Sequence, residues 1–163
     1  MNAFKHLLLP SSALYRRFPS HALSAIETAV ADSEMRHRAE IRFAIEVALD
    51  VRALWRIRTP RERALEVFSE LRVWDTAERN GVLVYILLAE RDVEIVADRG
   101  FDDRVTVSEW EQACQIIERG FREQRWRDGA LGGIEAIAKL LEREFPASGG
   151  PNPNEQPNRP AVF

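Results

Sequence analysis

Residues 80–101 read NGVLVYILLAERDVEIVADRGF, and this stretch decides the fold class. Gly81 to Ala89 is apolar at nearly every position, as expected of a central strand covered on both faces. Glu90-Arg91-Asp92 is a short charged turn. Val93 to Ala97, rich in β-branched residues, predicts an antiparallel return strand that runs into Asp98-Arg99-Gly100.

Upstream, Glu40 to Asp50 alternates: Ile41, Phe43, Ile45, Val47 and Leu49 against Arg42, Ala44, Glu46 and Ala48. That period predicts a strand with one strongly buried face. Arg52 to Arg58 reads as a basic loop around Trp55. Thr59-Pro60-Arg61-Glu62 opens a helix with a cap, a proline at the first helical position and a capping-box glutamate. Its apolar face runs through Ala64, Leu65, Phe68 and Leu71.

An earlier helix starts at Pro19-Ser20, with Leu23, Ile26 and Val30 on one stripe. Downstream, Val105 to Val107 predicts a short edge strand, and Ser108-Glu109-Trp110-Glu111 a second capping box. Asp128 opens the last helix, with Leu131, Ile134, Ile137 or Ala138, Leu141 and Phe145 on its buried side and Pro146 at its end. Gly129, Gly132 and Gly133 fit close helix–sheet packing.

The resulting order is α-β-α-β-β-α-α. The first two strands, joined by a helix, are parallel with a right-handed crossover, and the third runs back. The fold class is therefore α/β: a small mixed sheet of three or four strands with helices on both faces, an αβα sandwich. Residues 1–19 form a basic, apolar lead-in that suits a short docking helix, residues 20–146 the domain, and residues 147–163 a Pro/Asn/Gly-rich tail expected to be disordered.

Chain direction gathers charge at both ends of the sheet. One rim collects Glu40, Asp75, Asn80, Asp98, Arg99, Asp102 and Asp103. Carboxylates and an amide oxygen converging there can hold a hard cation, calcium or magnesium; the alternative is ordinary turn and cap chemistry. The other rim carries Asp50, Arg52, Arg56, Arg58, Glu90, Arg91 and Asp92, at the carboxyl end of the parallel pair where open α/β sheets usually bind ligands. Its arginines, with Arg99, are candidates for receiving an anion; a solvated loop is the alternative.

Composition narrows the rest. The chain has 163 residues, 45% hydrophobic and 30% charged, with a net charge of −3. That suits one soluble domain with a core of its own and argues against nucleic acid as a partner. Arg122, Arg125 and Arg127 interleave with Phe121 and Trp126, which reads better as a helix end with core aromatics than as a stacking platform. The single cysteine, Cys114, excludes an internal disulfide and reads as a small buried hydrophobe. His6, His21 and His37 lack metal-ligand spacing. No run is long enough to span a bilayer, so the expected location is the cytoplasm.

At Glu40-Ile41-Arg42-Phe43, Val73-Trp74-Asp75, Asn80-Gly81-Val82-Leu83 and Asp98-Arg99-Gly100-Phe101 the chain resembles the TPM-domain family, from about Ala22 to Pro146. The resemblance implies the αβα sandwich and a divalent-cation site in some members. It also implies a phosphatase activity proposed for a few members, without an assigned nucleophile. Glu40 matches the acidic residue that opens the first strand, Asn80-Gly81 the Asn-Gly before the central strand, and Asp98 to Gly100 the glycine-containing turn. Asp102 or Asp103 falls in the acidic loop that follows. Arg79 departs from the pattern, since many secreted relatives carry Asp there, and a positive charge opposes cation binding. Many relatives also carry a signal peptide and a C-terminal membrane helix; the sequence shows neither, as a short cytosolic branch would.

Two functions follow as expectations. The first is a non-catalytic accessory domain that binds a protein partner, membrane-associated partners included, through the lead-in and exposed tryptophans such as Trp55 or Trp74. The second is a cation-dependent phosphatase, with Asp75 or Asp98 as ligand or base and Arg99 neutralising charge.

Overall fold

The computed structural model describes His6 and residues 9–10, 12–57, 59–150 and 152–163. The side chains of residues 51 and 52 also lie outside the description. The elements in chain order are α1 (Ser12–Arg17), α2 (Ser20–Glu34), β1 (Glu40–Glu46), α3 (Val51–Arg56), α4 (Pro60–Glu70), β2 (Gly81–Leu87), β3 (Asp92–Ala97), α5 (Val107–Arg122), α6 (Trp126–Glu144) and β4 (Ala161–Val162). The sheet order is β3-β2-β1-β4. β1 and β2 are parallel, with Glu40 opposite Gly81, and β3 is antiparallel to β2. The mixed α/β sandwich read from the sequence is the fold.

Alternation along the strands builds two cores. Ile41, Phe43 and Ile45 of β1 join Val82, Val84 and Ile86 of β2 under α1, α2, α5 and α6. The opposite face packs Ala44, Leu83, Tyr85 and Leu87 against Ala64 and Val67 of α4. Every residue of β1 is therefore buried, where the sequence predicts only one buried face. The polar residues of the second face survive burial because each has a partner, as unpaired buried charge is costly. Glu46 meets Arg63 Nε at 2.9 Å and the Tyr85 hydroxyl at 2.7 Å. Arg42 donates to the carbonyl oxygens of Pro157 and Arg159.

Those last contacts overturn the expectation of a disordered tail. Ala161 and Val162 pair in parallel with Ala44 and Ile45, covering the outer edge of β1. Gln156 N–H donates to Glu40 Oε2 at 3.2 Å, and its side-chain amide donates to the Arg72 carbonyl at 3.0 Å. Asn152 donates to the carbonyls of Glu34 and His37. An open strand edge is a template for association, and this strap closes one. At the other edge, Arg61 donates to the Ile95 carbonyl of β3.

Local signals hold in part. Thr59 caps α4, accepting from Glu62 N–H at 3.1 Å. The second capping box exists, but its cap is Thr106 with Glu109, so α5 begins where an edge strand was expected. The basic loop is the helix α3, capped by Asp50, which accepts from Ala53 N–H at 2.6 Å. Leu65, expected inside, is exposed, and Val67 takes its place. Gly120 and Gly129 meet backbone to backbone where α5 crosses α6, so close helix–helix contact, rather than helix–sheet contact, selects glycine there.

Candidate functional site

The amino ends of β1 and β2 and the carboxyl end of β3 do lie at one rim. Glu40 N–H bonds the Asn80 carbonyl at 3.3 Å, and Asp98 N–H bonds the Gly81 carbonyl at 2.9 Å. Glu40, Gly81 and Asp98 thus form one row, with Glu40 and Asp98 about 10 Å apart at two strand spacings. Gly81 cannot be replaced without movement, because a Cβ there would collide with the Val73 carbonyl oxygen. The connector after α4 therefore crosses the sheet between the two acids.

Each acid has its own setting. Glu40 is 1% exposed. Its carboxylate faces the tail, and burial raises its pKa above the ordinary range. Beside it, Glu34 accepts from Ile41 N–H at 3.2 Å. Burial first, then the negative charge of Glu40, pushes Glu34 up to about 8. Asp98 caps the short 3-10 turn Arg99–Phe101, accepting from Arg99 N–H at 2.7 Å. Asn80 donates to the Arg38 carbonyl at 2.9 Å, while its Oδ1 is buried without a hydrogen-bond partner. Asp75 and Arg99 are exposed.

A second part of the rim is a cleft of about 470 Å³ where Asp98, Asp102 and Asp103 share the wall with Arg61 and Trp110. Asp103 takes a left-handed φ of 61°, which an aspartate tolerates better than most residues. Gly100 makes the turn possible: its N–H bonds the Arg79 carbonyl at 2.8 Å, and a side chain would strike that oxygen. Asp98 and Asp102 thus line one cleft, while Glu40 lies apart with the tail. Among the described residues no group of three His, Cys, Asp or Glu side chains is close enough to hold a metal ion.

The opposite rim is less convergent. Arg56 is exposed and pairs with Glu66 at 3.2 Å, Arg58 lies outside the described residues, and so does the Arg52 side chain. Cys114 is partly buried, and burial followed by Glu94 and Glu118 pushes its thiol up to about 12. It stays protonated at neutral pH and is a poor nucleophile. Two features escaped the sequence reading. One is the buried Tyr85–Glu46–Arg63 network, whose only signal was the charged residues on the Ala44 side of β1. The other is the carboxyl pair Glu34–Glu40 under the tail.

This fold and rim define a small αβα domain built around a parallel pair and a hairpin. The TPM domain model matches residues 18–140, and the chain belongs to the TPM-domain family. BA42 from the psychrophilic bacterium Bizionia argentinensis is similar over 88% of this chain and 94% of its own, at 26% identity and a TM-score of 0.76. The N-terminal domain of a P. gingivalis protein shares 14% identity with a TM-score of 0.62, covering 89% of this chain and 96% of that one. The N-terminal domain of the cg2496 protein from Corynebacterium glutamicum shares 13%, with a TM-score of 0.55 and coverage of 82% and 77%. These last two likenesses concern the fold alone. None of the curated proteins compared with the chain matches it. No helix among the described residues is long and apolar enough to cross a membrane.

Proposed function

We propose that this chain is a non-catalytic TPM accessory domain that docks a protein partner on its α3–α4 layer. The observation that carries this reading is Trp55, an indole 87% exposed on a short helix. Burial of an aromatic side chain of this size supplies much of the energy of a protein interface. Leu65 on α4 and Trp74 in the turn that follows are 47% and 49% exposed, and they extend the same layer. The test uses a photoreactive amino acid in place of Trp55, expressed in the host cell, with the same residue at Glu111 on α5 as control. A discrete adduct from position 55 alone is expected. It should be competed by excess untagged protein and not by the Trp55→Ala variant. Equal adducts from both positions would count against the reading.

A second reading is favoured by the orphaned Asn80 Oδ1 and the shared cleft. Here a divalent cation, calcium or magnesium, is held at the acidic rim, with Asp98 and Asp102 supplying oxygen and Asn80 nearby. Arg79 opposes it. Backbone NMR during a calcium or magnesium titration should shift residues 98–103 and Asn80. Unmoved signals at millimolar cation would remove this reading and leave the docking role intact. The phosphatase alternative has less support, since the one thiol, pushed up to about 12 by burial, stays protonated and offers no ready nucleophile.

A further inference from the structure

Far from the acidic rim, the chain concentrates positive charge. We propose that the cleft between the start of α2 and the start of α6 binds a phosphate group of a small phosphomonoester or a lipid headgroup. The cleft has a volume of about 500 Å³, and Arg16, Arg17, Arg125 and Arg127 line it with His21. Asp128 is the one carboxylate in the lining. On a molecule with a net charge of −3, four arginines around one concavity are a local reversal of sign. Such a reversal focuses the field on a compact anion.

The arginines are not all committed elsewhere. Arg17 lies over Trp126, its guanidinium carbon 4.9 Å from the ring centre. Its Nη1 is buried with no hydrogen-bond partner. A buried N–H of an arginine without an acceptor is costly, and a phosphate oxygen is the acceptor that its planar fork fits best. Burial, then repulsion from Arg91 and Arg16, lowers the Arg17 pKa, as an uncompensated cluster of like charge does. Arg125 pairs with Glu123, and Arg127 with Asp128 at 3.4 Å. All four of those side chains are exposed, so these pairs are weak and exchangeable.

Backbone geometry adds to the same point. α2 and α6 have 15 and 19 residues, and neither cap residue, Pro19 or Arg125, makes a side-chain capping bond. Neither helix start is closed by its own cap side chain, and the positive ends of both dipoles lie at residues that line the cleft. Trp126 itself is 7% exposed and stacked on Phe121 at 4.6 Å. It is therefore not available as a platform for bases, which sets single-stranded nucleic acid aside. A phosphate group needs only the rim of charges and the N–H groups.

The experiment is backbone NMR of the whole chain titrated with inorganic phosphate and with glycerol 3-phosphate, and with chloride at matched ionic strength. Saturable shifts are expected at residues 20–22 and 126–128, and chloride should not reproduce them. Arg16→Ala with Arg127→Ala removes two of the four charges and should weaken binding by at least about tenfold, roughly 1.4 kcal/mol in total. Both side chains are exposed, so the fold should survive, and an unchanged spectrum elsewhere verifies it. Arg127→Lys should restore part of the affinity. A vesicle arm, phosphatidylcholine with and without phosphatidic acid, separates the sources. Co-sedimentation lost in the double variant assigns a lipid headgroup, and saturation by glycerol 3-phosphate assigns a soluble ester. The proposal is overturned if neither phosphate source binds, or if the double variant binds as the native chain does.

Discussion

Glu34→Gln is expected to stabilise the protein at alkaline pH and to leave it unchanged at acid pH. Glu34 is 9% exposed, packed beside Glu40 under the tail. Below about pH 4.5 its carboxyl is protonated in the folded and unfolded chains alike. As pH rises past that point the unfolded chain ionises, while the folded chain keeps the proton until about 8. Stability falls across that window and levels above it. A rise from 4.5 to about 8 sets an upper bound of about 5 kcal/mol. Water reaching a side chain at the sheet edge reduces this to about 2 kcal/mol. Glutamine resembles the protonated acid, and its amide oxygen still accepts from Ile41 N–H. Urea unfolding of both proteins should give equal stabilities near pH 4 and a gain of about 2 kcal/mol for the variant near pH 9. The same difference at both pH values, or a loss at alkaline pH, would refute the reasoning.

Two further outcomes follow from the packing. Gly81→Ala sets a methyl against the Val73 carbonyl and should destabilise by about 2–3 kcal/mol, measured by urea unfolding; a neutral result would mean that the connector does not cross the sheet there. Arg42→Met removes the two bonds to the tail carbonyls, so the amides of Phe163 and Val47, which pair across that edge, should lose hydrogen-exchange protection while β2 keeps its own. Unchanged protection would show that β4 stands without Arg42.

The sheet was legible because its signals are local. The apolar run Gly81–Leu87 and the turn at Glu90–Asp92 need no distant partner to be read, and Thr59 announces its helix within four residues. The second face of β1 was not legible. Glu40, Arg42 and Glu46 look solvent-facing until Arg63, Tyr85 and residues 156–159 arrive from elsewhere in the chain. Pro and Asn in the tail argue locally against order, yet Arg42 holds that segment from 115 residues away. At the rim, chain direction placed the backbones of Glu40, Asn80 and Asp98 together. It did not show that Gly81 admits the Val73 carbonyl between the acids, which is a matter of tertiary contact. The arginines at 16–17 and 125–127 form one cleft only because α2 packs beside α6.

The claim that this TPM domain binds rather than catalyses is tested most directly by hydrolysis of a generic phosphomonoester. Purified protein would be assayed with magnesium and with calcium, beside the Asp98→Ala variant. The account predicts product formation at the level of buffer alone for both proteins. Metal-dependent turnover by the native chain that disappears with Asp98→Ala would contradict it.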